Sequence, residues 1–357
     1  MEQEENCIST EKLRDIGKFI TTYCDEYKIA NISVQAWGGE PLLEKNKIIA
    51  LTKFITPQKT KVHYSIETNA TLLTNDVIEE LYKNHIGIGI SIDGDRKCHD
   101  LQRTFVSGKG SYDTVKKNLL QAQRYYKNKI GTITTITKQT AVHIEKIIEH
   151  LVLDLHISNI KLNFVHASTY THGQNQCLNT QEIADTELRI LYKIIELQER
   201  GYDVMEHNIF IKLKNLLFRE YADICLSCGC CGGEKMIVFD MDGNIYPCEL
   251  TDDASFVIGS IYKKESLIEQ IKMTIDKDKA FFKMKKAVEC EKCYWKFFCR
   301  GGCTVRALSE KRQMEVIDID HIECAINQVL YPALMELVLR KPHIVNQMLG
   351  EDLLVDE

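Results

Sequence analysis

The sequence predicts an α/β protein: an incomplete parallel barrel, then a small cysteine-rich region and a helical tail. Three observations carry this. The first 165 residues alternate strand and helix patterns, and repeated βα units bring their strands together in parallel. The strands have one aliphatic face and one small or polar face. Ten of the 14 cysteines fall between Cys225 and Cys324.

The elements follow in order. Leu13, Ile16, Phe19, Ile20 and Tyr23 recur at helical spacing over residues 10–27. Ile32–Trp37 alternates as a strand and runs into Gly38-Gly39. A helix is expected over 44–56, a strand over Val62–Glu67 and a helix near 75–84. Ile86–Ile92 is a strict alternation of isoleucine with Gly87, Gly89 and Ser91. Tyr112, Val115, Leu119, Ala122 and Tyr126 mark a helix over 112–126, with Ser111 as its expected N-cap. A strand near 130–137, a helix near 141–153 and a strand over Ile160–Val165 complete the repeat. Residues 166–180 read as a loop, and 181–200, 207–220 and 322–349 as helices.

The strand faces choose the kind of sheet. The non-aliphatic faces carry Ser33, Gln35 and Trp37; His63, Ser65 and Glu67; Gly87, Gly89 and Ser91; Lys161 and Asn163. A doubly wound sheet makes both faces apolar, and a tight eight-stranded barrel fills its inside with branched residues. A small, polar inner face instead suits a wide or incomplete barrel around a polar cofactor, unless the alternation is only that of edge strands.

Composition sets the outer limits. The chain has 357 residues, 44% apolar and 27% charged, with a net charge of −6. That is an ordinary globular balance. Weak acidity argues against nucleic acid or a membrane surface as a partner. No apolar run approaches the ~18 residues of a membrane span. The opening MEQEENCIST is acidic and polar, unlike a secretory or transit peptide. A cytoplasmic location is expected, and in a reducing compartment clustered cysteines read as metal ligands before disulfides.

The strand ends carry the first chemical signals. Strand one leads into Trp37-Gly38-Gly39-Glu40-Pro41, strand two into Glu67-Thr68-Asn69-Ala70, and strand three into Ser91-Ile92-Asp93-Gly94 followed by His99-Asp100 and Arg103. Parallel α/β folds place their sites at these carboxyl ends. Each alone is also an ordinary turn; the three in order are specific.

The cysteines carry the second. Cys231 is followed after 11 residues by Gly243 and after four more by Cys248. Then come Cys290-x2-Cys293-x5-Cys299-x3-Cys303 and, 20 residues on, Cys324. A single zinc site needs four thiolates. Ten suffice for two four-cysteine iron–sulfur clusters, with two to spare. A zinc ribbon from Cys225-x2-Cys228 and Cys290-x2-Cys293 is disfavoured by the 61-residue gap. Tyr294, Trp295, Phe297 and Phe298 lie between the thiols, where they either shield a cluster or belong to ordinary core packing.

In these motifs the chain resembles the radical S-adenosylmethionine (SAM) enzymes that carry a C-terminal, twitch-type SPASM extension, as in peptide maturases and anaerobic sulfatase maturases. It matches the seven-cysteine signature of that extension at every spacing, and the resemblance covers roughly residues 8–330. It implies a (β/α)6-type barrel over 1–205 that lacks its first strand, a SPASM domain over 206–330 and a helical tail over 331–357. It implies that Gly38, Gly39 and Glu40 meet the amino group of SAM, with Glu67 in a weakened contact because Ala70 replaces the usual glycine. It implies that Ser91 lies near the ribose and carboxylate and that Arg103 pairs with the carboxylate. Cys290, Cys293, Cys299 and Cys324 match the ligands of an outer auxiliary [4Fe-4S] cluster. Cys248 and Cys303 match two ligands of an inner one, completed from Cys225, Cys228, Cys230 and Cys231, with Cys225 and Cys231 preferred. Glu249 stands where sulfatase-maturating relatives have an aspartate proposed as catalytic base.

One departure is large. The family binds its SAM-cleaving cluster with Cys-x3-Cys-x2-Cys, and that spacing does not occur in this sequence. The chain is therefore expected to begin just past that motif, with SAM and a third cluster bound only if the motif is supplied. Cys7, Cys24, Cys98 and Cys177 read as bystanders. The expected function is modification of a ribosomal precursor peptide or protein by radical hydrogen abstraction, forming a thioether or other crosslink, with flavodoxin or ferredoxin as reductant. The alternative is a non-catalytic iron–sulfur protein that binds peptide or relays electrons.

Overall fold

The computed structural model describes residues 7–127, 129–166, 176–219, 230–251, 254–276, 288–309 and 319–350. In chain order these form α1 (Thr10–Glu26), β1 (Asn31–Ala36), a 3-10 turn (Pro41–Glu44), α2 (Lys45–Phe54), β2 (Lys61–Thr68), α3 (Asn75–Lys83), β3 (Ile86–Ser91), α4 (Arg96–Gln102), α5 (Tyr112–Tyr126) and β4 (Gly131–Ile136). Then follow α6 (Lys138–Ala141), α7 (Ile144–Glu149), a π turn (His150–Asp154), β5 (Asn159–Phe164), α8 (Thr180–Glu199), β6 (Met205–Glu206) and α9 (His207–Phe218). The remainder forms β7 (Val238–Phe239), β8 (Asn244–Tyr246), β9 (Gly259–Ser260), α10 (Leu267–Asp276), α11 (Val288–Lys292), α12 (Lys296–Cys299), α13 (Thr304–Ser309), α14 (His321–Arg340) and α15 (Pro342–Leu349).

Strands β1 to β6 make one six-stranded parallel sheet in chain order, so every connection is a helical crossover of the expected kind. The alternation behaves as the sequence predicts. In β3 every isoleucine is buried while Gly87, Gly89 and Ser91 are half-buried, and in β5 Ile160, Leu162 and Phe164 are buried.

The chain divides into two compact units, Met1–Thr68 with Leu72–Ile88 and Cys231–Met284, and Asn69–Thr71 with Gly89–Cys230 and Lys285–Glu357. In the first unit α1 starts at Ser9, whose hydroxyl accepts the Lys12 N–H. Its apolar stripe buries Leu13 with Leu51 and Ile55, against Ile32 and Val34 of β1. A second cluster joins Ile245, Ile258 and Leu267 to Phe19 and Tyr23 of α1. The antiparallel sheet β7-β8-β9, which periodicity does not reveal because its strands have two or three residues, thus packs on α1.

In the second unit the expected helix over 141–153 is broken. It starts early, at a Thr137–Thr140 capping box, and His143 leaves helical geometry before α7 begins. Helix α4 was not expected; Asp95 caps it by accepting the Cys98 N–H at 2.9 Å. Ser111 does precede α5, but its side chain does not cap it and serves the loop described below. Helix α14 reaches the length and mean hydropathy (1.3) of a membrane span, although no uninterrupted apolar run marks it in the sequence. It carries buried Glu323 and Asn327, however, and packs on α8, as a helix inside a folded unit does.

Candidate functional site

Two strand-end loops of the first unit carry predicted residues. After β1, Trp37 is exposed, and a Cβ built on Gly38 or Gly39 meets no atom within 4 Å. The backbone there is open to close approach by a ligand. Glu40 Oε1 accepts the Leu42 N–H at 3.1 Å and the Thr68 hydroxyl at 2.6 Å. Its carboxylate therefore ties the β1 loop to the end of β2. Glu67 is half-buried on β2.

The turn after Thr68 puts Ala70 in a conformation unfavourable to alanine. Ala70 is fully buried at φ 58, a left-handed conformation that favours the glycine usual in the family. Within the second unit its carbonyl accepts the Asn118 side-chain amide at 2.7 Å, which holds that backbone in place.

The loop after β3 lies in the second unit. Asp93 is 1% exposed and accepts Arg103 Nε at 2.6 Å, Arg103 Nη2 at 3.4 Å and the Thr135 N–H at 2.9 Å. His99, fully buried, accepts the Asp93 N–H on Nδ1 and meets the Ser111 hydroxyl through Nε2, while that hydroxyl donates to the Arg103 carbonyl. Burial, and secondarily Arg103, hold the imidazole neutral, with its pKa down to about 4 although Asp93 opposes the shift. Asp100 accepts the Tyr112 N–H at 2.9 Å. The run His99-Asp100-x-x-Arg103 is thus a brace that fixes one guanidinium. Arg103 is about a quarter exposed, and Asp93 does not engage its Nη1. Ser91, half-buried, is the last residue of β3.

The cysteine-rich residues fall in both units. In the second, burial raises the Cys324 thiol pKa, and the nearby Cys290 and Cys293 thiols raise it further. Gln328 approaches Cys293 Sγ at 3.7 Å. Burial and Glu323 push Cys299 up to about 11. Cys303 is raised by burial, and Asp320 and Cys230 add to it. Cys230 is therefore a neighbour of Cys303 that the preferred pair left out. In the first unit Cys231 and Cys248 are buried, and Glu249 follows with a buried Oε2 that has no hydrogen-bond partner among the described residues. Cys225 and Cys228 lie outside the described residues.

No three His, Cys, Asp or Glu side chains among the described residues gather closely enough to hold a single metal ion. A cluster distributes its thiolates over several irons, and Cys290 and Cys293 lie near enough to Cys324 to raise its pKa, which is compatible with ligation of one cluster by these thiols. The aromatic residues divide. Trp295 stacks on Tyr331 at 5.2 Å and Phe298 lies 5.4 Å from it, whereas Tyr294 and Phe297 are exposed. The bystanders Cys24 and Cys98 are buried thiols; Cys98 is pushed up to about 11, mainly by burial.

Residues 11–151 match the family described as the radical SAM superfamily. The chain carries a radical SAM domain. Over a longer stretch, the cysteine-type anaerobic sulfatase-maturating enzyme of Clostridium novyi (strain NT) is 27% identical over 273 residues, spanning 74% of this chain and 71% of the relative. The radical SAM cyclopropyl synthase TigE of Paramaledivibacter caminithermalis is 23% identical, over 85% of this chain and 60% of its own. Among solved structures, native anSMEcpe with bound AdoMet and Cp18Cys peptide has a TM-score of 0.78 at 20% identity, covering 93% of this chain and 92% of that one. Streptococcus suis SuiB bound to precursor peptide SuiA has a TM-score of 0.60 at 19% identity, covering 86% and 68%. The fold of this chain is thus like that of anSMEcpe.

Proposed function

We propose that this protein takes part in the radical SAM modification of a ribosomally made peptide or protein, with a thioether or other crosslink as product. The observation that carries this is the guanidinium of Arg103, fixed by Asp93 at the carboxyl end of β3. A planar guanidinium held in this way suits the carboxylate of SAM. A relative named for maturing a sulfatase and solved structures with bound peptides support the substrate class.

SAM supplies a 5′-deoxyadenosyl radical when it is reductively cleaved at an iron–sulfur cluster. The residues of this chain would do the rest. The open backbone at Gly38 and Gly39 would receive the amino group, aided by Glu40 and Glu67 on the same unit. Ser91 and Arg103 would orient the ribose and carboxylate, the latter through a planar fork. Cys290, Cys293, Cys299 and Cys324 would hold one auxiliary cluster. Cys248 and Cys303 would hold a second with Cys225 and Cys231, or with Cys230. Glu249, with its unpartnered buried oxygen, would accept the substrate proton. A flavodoxin or ferredoxin would exchange electrons with the clusters.

A second reading rests on the cysteine pattern: no Cys-x3-Cys-x2-Cys occurs among the 357 residues. On that reading the chain binds peptide or relays electrons and leaves SAM cleavage to another component. Anaerobic reconstitution with iron and sulfide tests the common ground. About eight irons per chain are expected from two auxiliary clusters, and zinc without iron would overturn the reading. Adding SAM and dithionite separates the alternatives. Release of 5′-deoxyadenosine makes the chain a complete enzyme, and its absence favours the second role.

A further inference from the structure

An arginine that recognises a carboxylate by attraction alone has no need of a buried acid. Arg103 has one. Asp93 takes two of its N–H groups, is itself almost wholly buried, and is held by the Thr135 N–H and the His99 imidazole, which is neutral. The guanidinium is therefore electrically compensated before any ligand arrives. It keeps its fork for a carboxylate but offers little net positive charge. A ligand with a net negative charge gains little from such a site. A ligand that joins a carboxylate to cationic groups is spared the repulsion of a bare guanidinium.

We propose that Asp93 is a charge-compensating specificity residue, which lets Arg103 hold the carboxylate of SAM without repelling its sulfonium. The inference rests on the reading of Arg103 given above. SAM has a sulfonium, an ammonium and a carboxylate, for a net charge of about +1. S-adenosylhomocysteine has the same carboxylate, ammonium and adenosine but a neutral sulfur. The two ligands share every contact of Arg103 and differ in the charge that Asp93 is proposed to protect.

The test is the ratio of the two affinities, measured by equilibrium dialysis on the iron-loaded full chain. In Asp93→Asn the uncompensated Arg103 should weaken SAM more than S-adenosylhomocysteine, lowering the SAM preference about fivefold, or ~1 kcal/mol. In Arg103→Gln the uncompensated Asp93 should shift the preference the other way, whatever happens to overall affinity. The double variant should return the ratio to that of wild type. Equal weakening of both ligands in Asp93→Asn would overturn the proposal and leave Asp93 as a brace of the loop. Where Asp93→Asn fails to fold, the sign of the shift in Arg103→Gln decides alone. A wild-type chain that binds neither ligand would instead overturn the SAM reading of Arg103.

Discussion

Asp320 accepts the backbone N–H of Cys303 at 2.7 Å with the same oxygen that pairs with Arg306 at 2.6 Å. Its other oxygen caps α14 at the Glu323 N–H, one residue before Cys324. One carboxylate therefore sets the spacing between a proposed ligand of each auxiliary cluster. Asp320→Ala should lower iron from about eight toward about four per chain. Asp320→Asn, which still caps the helix, should fold better yet lose the Arg306 pairing. Iron analysis and electron paramagnetic resonance of the reduced clusters check this; a folded Asp320→Ala with full iron would contradict it.

Lys212 and Glu323 form an ion pair with both side chains almost fully buried, and Glu323 also meets Arg306 and Asn327. Removing one partner of a buried pair strands the other charge. Lys212→Met should cost about 3 kcal/mol or more. Lys212→Met with Glu323→Gln should cost less than the single change. Chemical denaturation followed by circular dichroism gives both values, and a double variant less stable than Lys212→Met would refute the pairing argument.

Two buried acids predict a pH slope. Burial raises Glu187 to about 8, with Glu206 repelling it, and raises Glu206 to about 7 although two backbone N–H groups oppose this. Both lie above the ordinary value of 4.5. The folded chain therefore binds these protons more tightly than the unfolded one. Their contribution to stability is complete below about 4.5 and is lost as pH rises through about 7 to 8. Glu187→Gln should flatten the fall in melting temperature between those limits and raise the melting temperature most at the alkaline end. A parallel displacement of the two curves would show that Glu187 does not titrate there.

The elements most legible in the sequence are those whose side chains alternate with burial. Ile86–Ile92 reads as a strand, and β3 runs over Ile86–Ser91 because its isoleucines all meet a packed face. Helix α4 left no such trace, since only Cys98 and His99 of its seven residues are buried. The segment from Ser91 to Arg103 stood out as a strand end. The Asp93–Arg103 pairing across ten residues belongs to a loop, where no period announces it. Lys212 and Glu323, 111 residues apart, leave no local mark at all. Glu187 did leave one. It sits between Ile183 and Leu191 on the buried face of α8, and a charged residue at that spacing signals a buried acid.

Gly94 tests whether the brace around Arg103 is rigid. It follows Asp93 at φ 100, and a Cβ there would stand 2.7 Å from Ile147 Cγ1, a fully buried side chain of α7. Backbone strain and overpacking then act on the same residue, and together cost about 2 to 4 kcal/mol. Gly94→Ala should therefore lower the melting temperature. Ile147→Ala opens the space that the new methyl needs but keeps the positive φ. Combined with Gly94→Ala it should recover part of the stability, and the unrecovered part measures the conformational strain. Full recovery would assign the whole cost to packing, and none would assign it to the backbone.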